Sequence, residues 1–256
     1  MLTRRHIRVK VMQCIYALTQ SKDDSLEKQE KFLKVSIENM YTLYLLMLSL
    51  FIELHERAEN QISLSSKKYL KNNTDSYPNK EKFLRNKLLL QIAGNKTLKD
   101  ELSKRKLNNW YLNEEYIRII YNEVMESEIY AKYMSNADST YEEDKRLIID
   151  LFRDIIAPNE KIYDYFEDDK LTWVDDIPIV NTFLLKQFKK VKESTVPSYF
   201  LPPLFKDEDD MVYANRLLTI TLLNNSNLEQ EIEVKKPNWD KNRIANIDTL
   251  LVKMAI

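Results

Sequence analysis

The stretch MYTLYLLMLSLFIEL, residues 40–54, is apolar on nearly every side when it is drawn as a helix. A helix that is hydrophobic all round is normally buried in the core of a protein. The residues on both sides keep a helical pattern, which predicts one long helix from about Leu26 to Gln61. The sequence therefore predicts a fold that is built around this helix, with residues 40–54 at its centre.

Glycine is almost absent from the chain. Only one of the 256 residues is glycine, whereas hairpins and tight βα turns need glycine at positions of positive φ. Hydrophobic residues make up 44% of the chain and charged residues 31%, so the chain is long enough for one large core or two small ones. These features predict an all-α protein whose helices are joined by ordinary loops.

Loops and a weak repeat divide the predicted helices into four segments. The segments are N-terminal helices at 1–70, a helical insertion at 71–140, a first helical repeat at 141–193, and a loop with a second repeat at 194–256. The repeat is a similarity between residues 151–185 and residues 217–251, in which Trp173 matches Trp239. Duplication explains this similarity, and chance is the alternative.

Catalytic motifs are missing from the sequence. Two histidines, His6 and His55, and one cysteine, Cys14, are too few for a metal cluster of imidazoles and thiolates. A chain with one glycine contains no P-loop, G-x-G-x-x-G or G-x-S-x-G motif. Acidic clusters at 168–169, 175–176 and 207–210 indicate solvated charges and helix caps, with a magnesium-dependent hydrolase as the alternative. We predict a protein that is not an enzyme and needs no cofactor.

The sequence predicts a cytoplasmic protein that does not span a membrane. Its longest uncharged run, residues 39–52, is shorter than the ~20 residues that a membrane span requires. Lys10 and Gln13 interrupt the apolar region that a signal peptide would need. The single cysteine excludes an internal disulfide and suits a reducing compartment. An organelle transit peptide at residues 1–20 is the alternative.

The first predicted helix, within LTRRHIRVKVMQCIYALTQ (residues 2–20), carries cations with no acid to balance them. Its apolar residues share one face at helical spacing and predict docking on a core: Ile7, Val11, Cys14, Ile15 and Leu18. The cations are expected around the exposed end of the helix: Arg4, Arg5, Arg8 and Lys10. Cations in the first turns oppose the helix dipole, which is mildly unfavourable.

Binding of a polyanion would compensate this unfavourable arrangement. The formal net charge of the chain is −1, so any attraction to nucleic acid must be local. The cluster predicts contacts with several phosphates of a single strand, and Tyr16 would either stack on a base or pack within the protein. A solvated basic surface is the alternative interpretation of the same charges.

Two segments resemble a known protein family. RRHIRVKVMQCIY (residues 4–16) resembles the opening helix of the bacterial transcription antitermination factor NusB family, in which arginines precede an apolar-Gln-small-apolar-Tyr run. RIANIDTLLVKMAI (residues 243–256) resembles a later helix of that family, with an acid, an aliphatic triplet, a basic residue and an apolar-Ala-apolar ending. The two segments occur in the family's order, with an all-α body predicted between them.

The resemblance implies a bundle of helices without catalytic activity. Members of the family bind a boxA-type element in nascent ribosomal RNA together with a small-subunit ribosomal protein, also called NusE. The complex then helps to hold elongating RNA polymerase in a termination-resistant state. For this chain, the resemblance implies that Arg4, Arg5 and Arg8 contact RNA phosphates. His6 occupies a position that is often basic, Tyr16 lies at the edge shared by RNA and partner, and Asp248 lies near the partner surface.

The chain also departs from the family pattern. Residues 71–170 are extra and indicate an insertion or an expanded repeat, and nothing after Ile256 corresponds to the family's final helices. We expect that the natural protein continues beyond Ile256. The alternative function is a non-catalytic all-α scaffold for protein–protein interaction, in which the basic helix binds an acidic partner.

Overall fold

The computed structural model describes residues 1–21, 25–67, 77–235 and 245–256. Every regular element within these ranges is helical and none is a strand, which confirms the predicted all-α class. The helices are α1 (Arg4–Ser21), α2 (Leu26–Lys67), α3 (Lys87–Ala93), α4 (Lys96–Lys104), α5 (Asn109–Leu112), α6 (Glu114–Glu126), α7 (Glu128–Met134), α8 (Tyr141–Leu151), α9 (Glu160–Asp169), α10 (Ile177–Lys190), α11 (Asp210–Leu223), α12 (Asn225–Lys235) and α13 (Asn246–Ala255).

Shorter helical turns complete the described chain. A π-helical turn at Phe152–Ile156 extends α8, and 3₁₀ turns occur at Leu171–Trp173 and Pro197–Phe200. Trp239, on which part of the predicted repeat depends, lies outside the described residues, and so do the first two residues of the 243–256 motif.

Contacts divide the chain into two compact units. Unit 1 consists of Met1–Asn39 and Pro203–Ile256, and unit 2 consists of Met40–Pro202. Helix α2 contributes its first part to unit 1 and its longer, apolar part to unit 2. The four segments predicted from the sequence stay a prediction.

The core of unit 2 forms around the apolar part of α2, as the sequence predicted. All side chains from Met40 to Ile52 except Thr42 are buried. The Phe51 ring meets Phe188 edge-on, with ring centres 5.4 Å apart. The Tyr44 hydroxyl lies 2.7 Å from the carbonyl oxygen of Phe200, which satisfies a polar group in the middle of this core.

Helix α2 also has the length and composition of a membrane span. Between Leu26 and Leu64 it is apolar enough to cross a bilayer, a wider range than the uncharged run at 39–52 indicated. Of its most apolar window, 78% is buried inside the protein. The core helix of a soluble protein meets the same criterion, so the helix does not decide the cellular location.

The beginning of unit 1 is held by backbone hydrogen bonds. The amino group of Met1 donates to the carbonyl oxygen of Pro203 at 2.6 Å. The N–H group of Leu2 donates to the carbonyl oxygen of Leu204 at 2.8 Å, and the Leu2 side chain is buried. These bonds fix the chain directly before α1, and so they also fix where α1 begins.

Candidate nucleic-acid interface

Helix α1 packs against α11 and α13 within unit 1. The predicted docking face is confirmed for four residues, all of which are buried: Ile7, Val11, Cys14 and Ile15. Leu18, the fifth, is only partly buried, so its burial is less complete than the prediction implied. Leu18 lies near the end of α1 and lines an open cleft there, together with Ile15.

Arg5 and Arg8 form the exposed basic part of the helix. Both side chains face solvent, and neither has an ion-pair or hydrogen-bond partner among the described residues. They are three positions apart, which places them next to each other on one helix face. The first turn of α1 contains no acidic residue. Two guanidinium groups are therefore free to bind an external anion.

Arg4 has a different role, because it contacts α11. Its Nε donates to Oδ1 of Asp210 at 3.4 Å, and its guanidinium lies 4.9 Å from the ring centre of Tyr213. The Arg4 side chain keeps 55% of its surface exposed, whereas Asp210 is buried. Arg4 thus joins α1 to α11 and still presents part of its charge to solvent.

Asp210 accepts three hydrogen bonds in this arrangement. Besides Arg4, the backbone N–H groups of Lys206 and Asp207 donate to its Oδ2 at 3.2 and 3.1 Å. Burial alone would raise the pKa of this carboxyl group, but the hydrogen bonds from Asp207, Arg4 and Lys206 outweigh burial and hold the pKa below its ordinary value. Asp210 is therefore a structural carboxylate of unit 1.

Lys10 does not belong to the exposed cluster, contrary to the prediction. Only 2% of its surface is exposed, and it has an interaction partner within the protein. The reason is its position three residues after Ile7 and four before Cys14, which places it beside the docked stripe. Because α1 packs against both α11 and α13, its buried face is wider than the apolar stripe itself. Lys10 is therefore not available to bind RNA at this surface.

His6 lies at the edge of the exposed face and is half-buried. Its Nδ1 lies 3.4 Å from the backbone nitrogen of Thr3 and accepts a hydrogen bond from that N–H group. A free N–H group at a helix N-terminus is commonly satisfied in this way. The contact ties the His6 ring to the start of α1.

Tyr16 lies on the same side of α1 as Arg5, three helical turns further along. Its side chain is 40% exposed. It also lines a cleft of about 760 Å³ in unit 1, which residues of α1, α2, α11, α12 and α13 surround. Asp248 is exposed in the first turn of α13, but it is not among the described residues that line this cleft.

The cleft contains a polar contact that the sequence did not predict. Nζ of Lys253 lies 2.5 Å from Oε1 of Glu229 and 2.7 Å from Oδ1 of Asn225. These residues come from α12 and α13, and more than twenty positions separate them in the chain, so no local pattern could reveal the contact. The ion pair fixes α13 against α12 at one side of the cleft.

Neither a metal-binding group among the described residues nor a match to a known protein helps to explain this surface. Within the described ranges, no group of three or more His, Cys, Asp or Glu residues is arranged to hold a metal ion. No family model matches the sequence, no curated protein matches it, and no solved structure matches the fold. The surface therefore has to be interpreted from its own residues.

Proposed function

We propose that this protein binds single-stranded RNA through the exposed face of α1. The observation that carries the proposal is the pair Arg5 and Arg8, which are exposed and unpaired among the described residues. Arg4 adds a guanidinium group that is partly exposed beside them. Arginine binds phosphate oxygens through two parallel N–H donors, so these groups suit a phosphate backbone.

Tyr16 extends the same face beyond the arginines. Stacking of a base on an aromatic side chain contributes about 1–3 kcal/mol and requires no particular base. The face would therefore combine phosphate contacts near the start of α1 with one stacking position further along. That combination is typical of proteins that bind single strands.

The more specific form of the proposal is a transcription antitermination factor. It would act in the cytoplasm, without catalytic activity, on a boxA-type element of nascent ribosomal RNA. Its partners would be the small-subunit ribosomal protein NusE and the elongating RNA polymerase. The support is the sequence resemblance of residues 4–16 and 243–256 to the NusB family. A NusB-like bundle with an expanded middle region and an internal helical repeat is part of the same proposal.

Fluorescence anisotropy with a labelled boxA-type leader RNA tests the proposal. We expect binding that weakens with salt, by about 0.7 logarithmic units per logarithmic unit of salt for each phosphate contacted. The double substitution Arg5→Glu with Arg8→Glu should abolish most of this binding. Repeating the titration with the purified ribosomal protein tests the antitermination form, which requires tighter binding in its presence.

A matched control makes the same change in net charge at two positions outside α1. Arg118 and Lys190 are exposed and have no partner among the described residues, and both belong to unit 2. Arg118→Glu with Lys190→Glu should leave RNA affinity nearly unchanged. Equal losses in the two double variants would mean that only the net charge matters, and the proposed site on α1 would be wrong.

A protein-interaction scaffold is the second candidate function. Unit 1 exposes several large apolar side chains on α11 and α13: Val212, Ile220, Leu223, Ile247 and Leu251. Exposed apolar side chains on neighbouring helices favour a protein partner. If the basic helix α1 binds an acidic protein, a labelled glutamate-rich peptide should bind α1. The leader RNA should then fail to displace this peptide.

A further inference from the structure

Unit 2 contains a second surface of a different character, where α5, α6, α9 and the 3₁₀ turn at Leu171–Trp173 meet. The buried Trp110 of α5 anchors this region, because its Nε1 donates to the carbonyl oxygen of Leu46 at 3.0 Å. Its ring contacts Tyr165 and Phe166, with ring centres 5.5 and 5.9 Å away. Phe166 in turn meets Trp173 edge-on at 5.4 Å.

Large apolar side chains next to this buried cluster point into solvent. Tyr111 is 83% exposed and Leu112 is 67% exposed, although they are the first and second residues after the buried Trp110. Leu171 is 78% exposed and lies two positions before the buried Trp173. These three are the most exposed large apolar side chains of unit 2 among the described residues.

Hydrogen bonds fix α5, the short helix that carries Tyr111 and Leu112. Nδ2 of Asn109 donates to the Tyr165 hydroxyl at 2.7 Å, and Nδ2 of Asn113 donates to the carbonyl oxygen of Asn109 at 2.8 Å. With Trp110 anchored as well, the backbone of α5 is fixed before any partner arrives. A preorganised anchor loses less conformational entropy on binding than a mobile loop does.

Carboxylates surround this apolar surface. Residues 160–176 contain seven acidic side chains and two lysines. The exposed carboxylates Glu115, Asp168 and Asp169 have no ion-pair or hydrogen-bond partner among the described residues. Of the two lysines, Lys170 lies 4.7 Å from the ring centre of Trp173, so its ammonium group is already engaged.

Two of these carboxylates converge from different helices. Burial raises the pKa of the Tyr165 hydroxyl, and the negative charges of Asp169 and Glu115 raise it further. Asp169 is the last residue of α9 and Glu115 lies in the first turn of α6. Both charges therefore act at the same place, beside the exposed end of the aromatic cluster.

We propose that this surface, the acidic–apolar patch (Tyr111, Leu112, Leu171, Glu115, Asp168 and Asp169), binds a basic segment of a partner protein that carries apolar anchor residues. The apolar side chains would be covered by the anchors, as exposed aromatic residues commonly are in protein interfaces. The unpaired carboxylates select a partner rich in Lys or Arg and repel nucleic acid. The patch is thus opposite in charge to the exposed face of α1.

A pair of synthetic peptides tests the proposal. The probe is a fluorescein-labelled amphipathic peptide of Lys with Leu and Tyr, and its counterpart replaces every Lys with Glu. We expect the basic peptide to bind the intact protein and the acidic peptide not to bind. Tyr111→Ser with Leu171→Ser should weaken binding about tenfold or more, which is the usual effect of losing anchor residues. Asp168→Asn with Asp169→Asn should weaken it and reduce its dependence on salt.

Matched controls change similar residues outside the patch. Val196→Ser removes another exposed apolar side chain of unit 2, and Glu126→Gln with Asp138→Asn removes two other exposed carboxylates. These variants should bind the basic peptide as the unchanged protein does. Equal binding by all variants, or binding of the acidic peptide, would overturn the proposal. Self-association in sedimentation velocity that Tyr111→Ser with Leu171→Ser removes would identify a second copy as the occupant and overturn it too.

Discussion

Nε of Arg4 lies 3.4 Å from Oδ1 of Asp210, which joins the first turn of α1 to the first turn of α11 across 206 positions of sequence. This contact gives Arg4 a structural role that Arg5 and Arg8 do not share. Arg4 contributes to the docking of α1, whereas Arg5 and Arg8 are exposed and have no partner among the described residues. Asp210 should therefore matter for stability, and Arg5 and Arg8 for binding.

The pH dependence of the protein's stability should reveal the lowered pKa of Asp210. Its pKa in the folded protein lies below the ordinary value of 3.8, so its ionised form stabilises the fold above that pH. The contribution is lost as the pH falls through the lowered pKa. In urea unfolding, Asp210→Asn should therefore be less stable than the unchanged protein at neutral pH, and the difference should shrink below about pH 4. A difference that stayed constant down to low pH would contradict the lowered pKa.

Truncating two apolar side chains of α1 should destabilise the protein to different extents. Ile7 is fully buried against the rest of unit 1, whereas Leu18 is only partly buried beside the cleft. Ile7→Ala should cost about 2–5 kcal/mol of the free energy of unfolding, and Leu18→Ala clearly less. Chemical denaturation followed by circular dichroism measures both. Equal costs for the two variants would show that α1 docks in a different register.

The thiol of Cys14 should be unreactive in the folded protein. Burial raises its pKa to about 12, although the charge of Lys10 acts in the opposite direction. Only the thiolate reacts quickly with disulfide reagents, and it is scarce when the pKa is this high. A thiol-exchange reagent at pH 8 should therefore label the native protein far more slowly than the protein unfolded in guanidinium chloride. Rapid labelling of protein that keeps its native circular dichroism would contradict this prediction.

Two adjacent residues of α5 should differ sharply in their importance for stability. Trp110 is buried and donates to Leu46, whereas Tyr111 is largely exposed. Trp110→Phe removes the hydrogen bonds to the Leu46 carbonyl oxygen and the Ser49 hydroxyl and reduces the filled volume, so it should cost about 1–3 kcal/mol. Tyr111→Ala should change the free energy of unfolding by no more than about 0.5 kcal/mol. The same denaturation experiment compares both, and a large cost for Tyr111→Ala would mean that this side chain packs within the protein.

Local features made the class of fold predictable. The scarcity of glycine and the helical spacing of apolar residues depend only on neighbouring positions, and both pointed to an all-α protein. The all-round apolarity of residues 40–54 likewise placed α2 in the core, because a surface helix needs a polar side. The identity of the exposed cations was predicted less well, since Lys10 belongs to the same basic run as Arg5 and Arg8 and is buried.

The sequence by itself determined that this protein is helical, where its apolar centre lies, and that α1 has one face for the core. Only the tertiary structure decided which charges remain exposed. Arg4 contacts Asp210 of α11, and Lys10 is buried in a helix that packs against α11 and α13, which are distant in sequence. Helical periodicity describes one helix at a time, so it gives the centre of a buried face but not its width. The width depends on which helices pack against that face, and α11 and α13 are among them here.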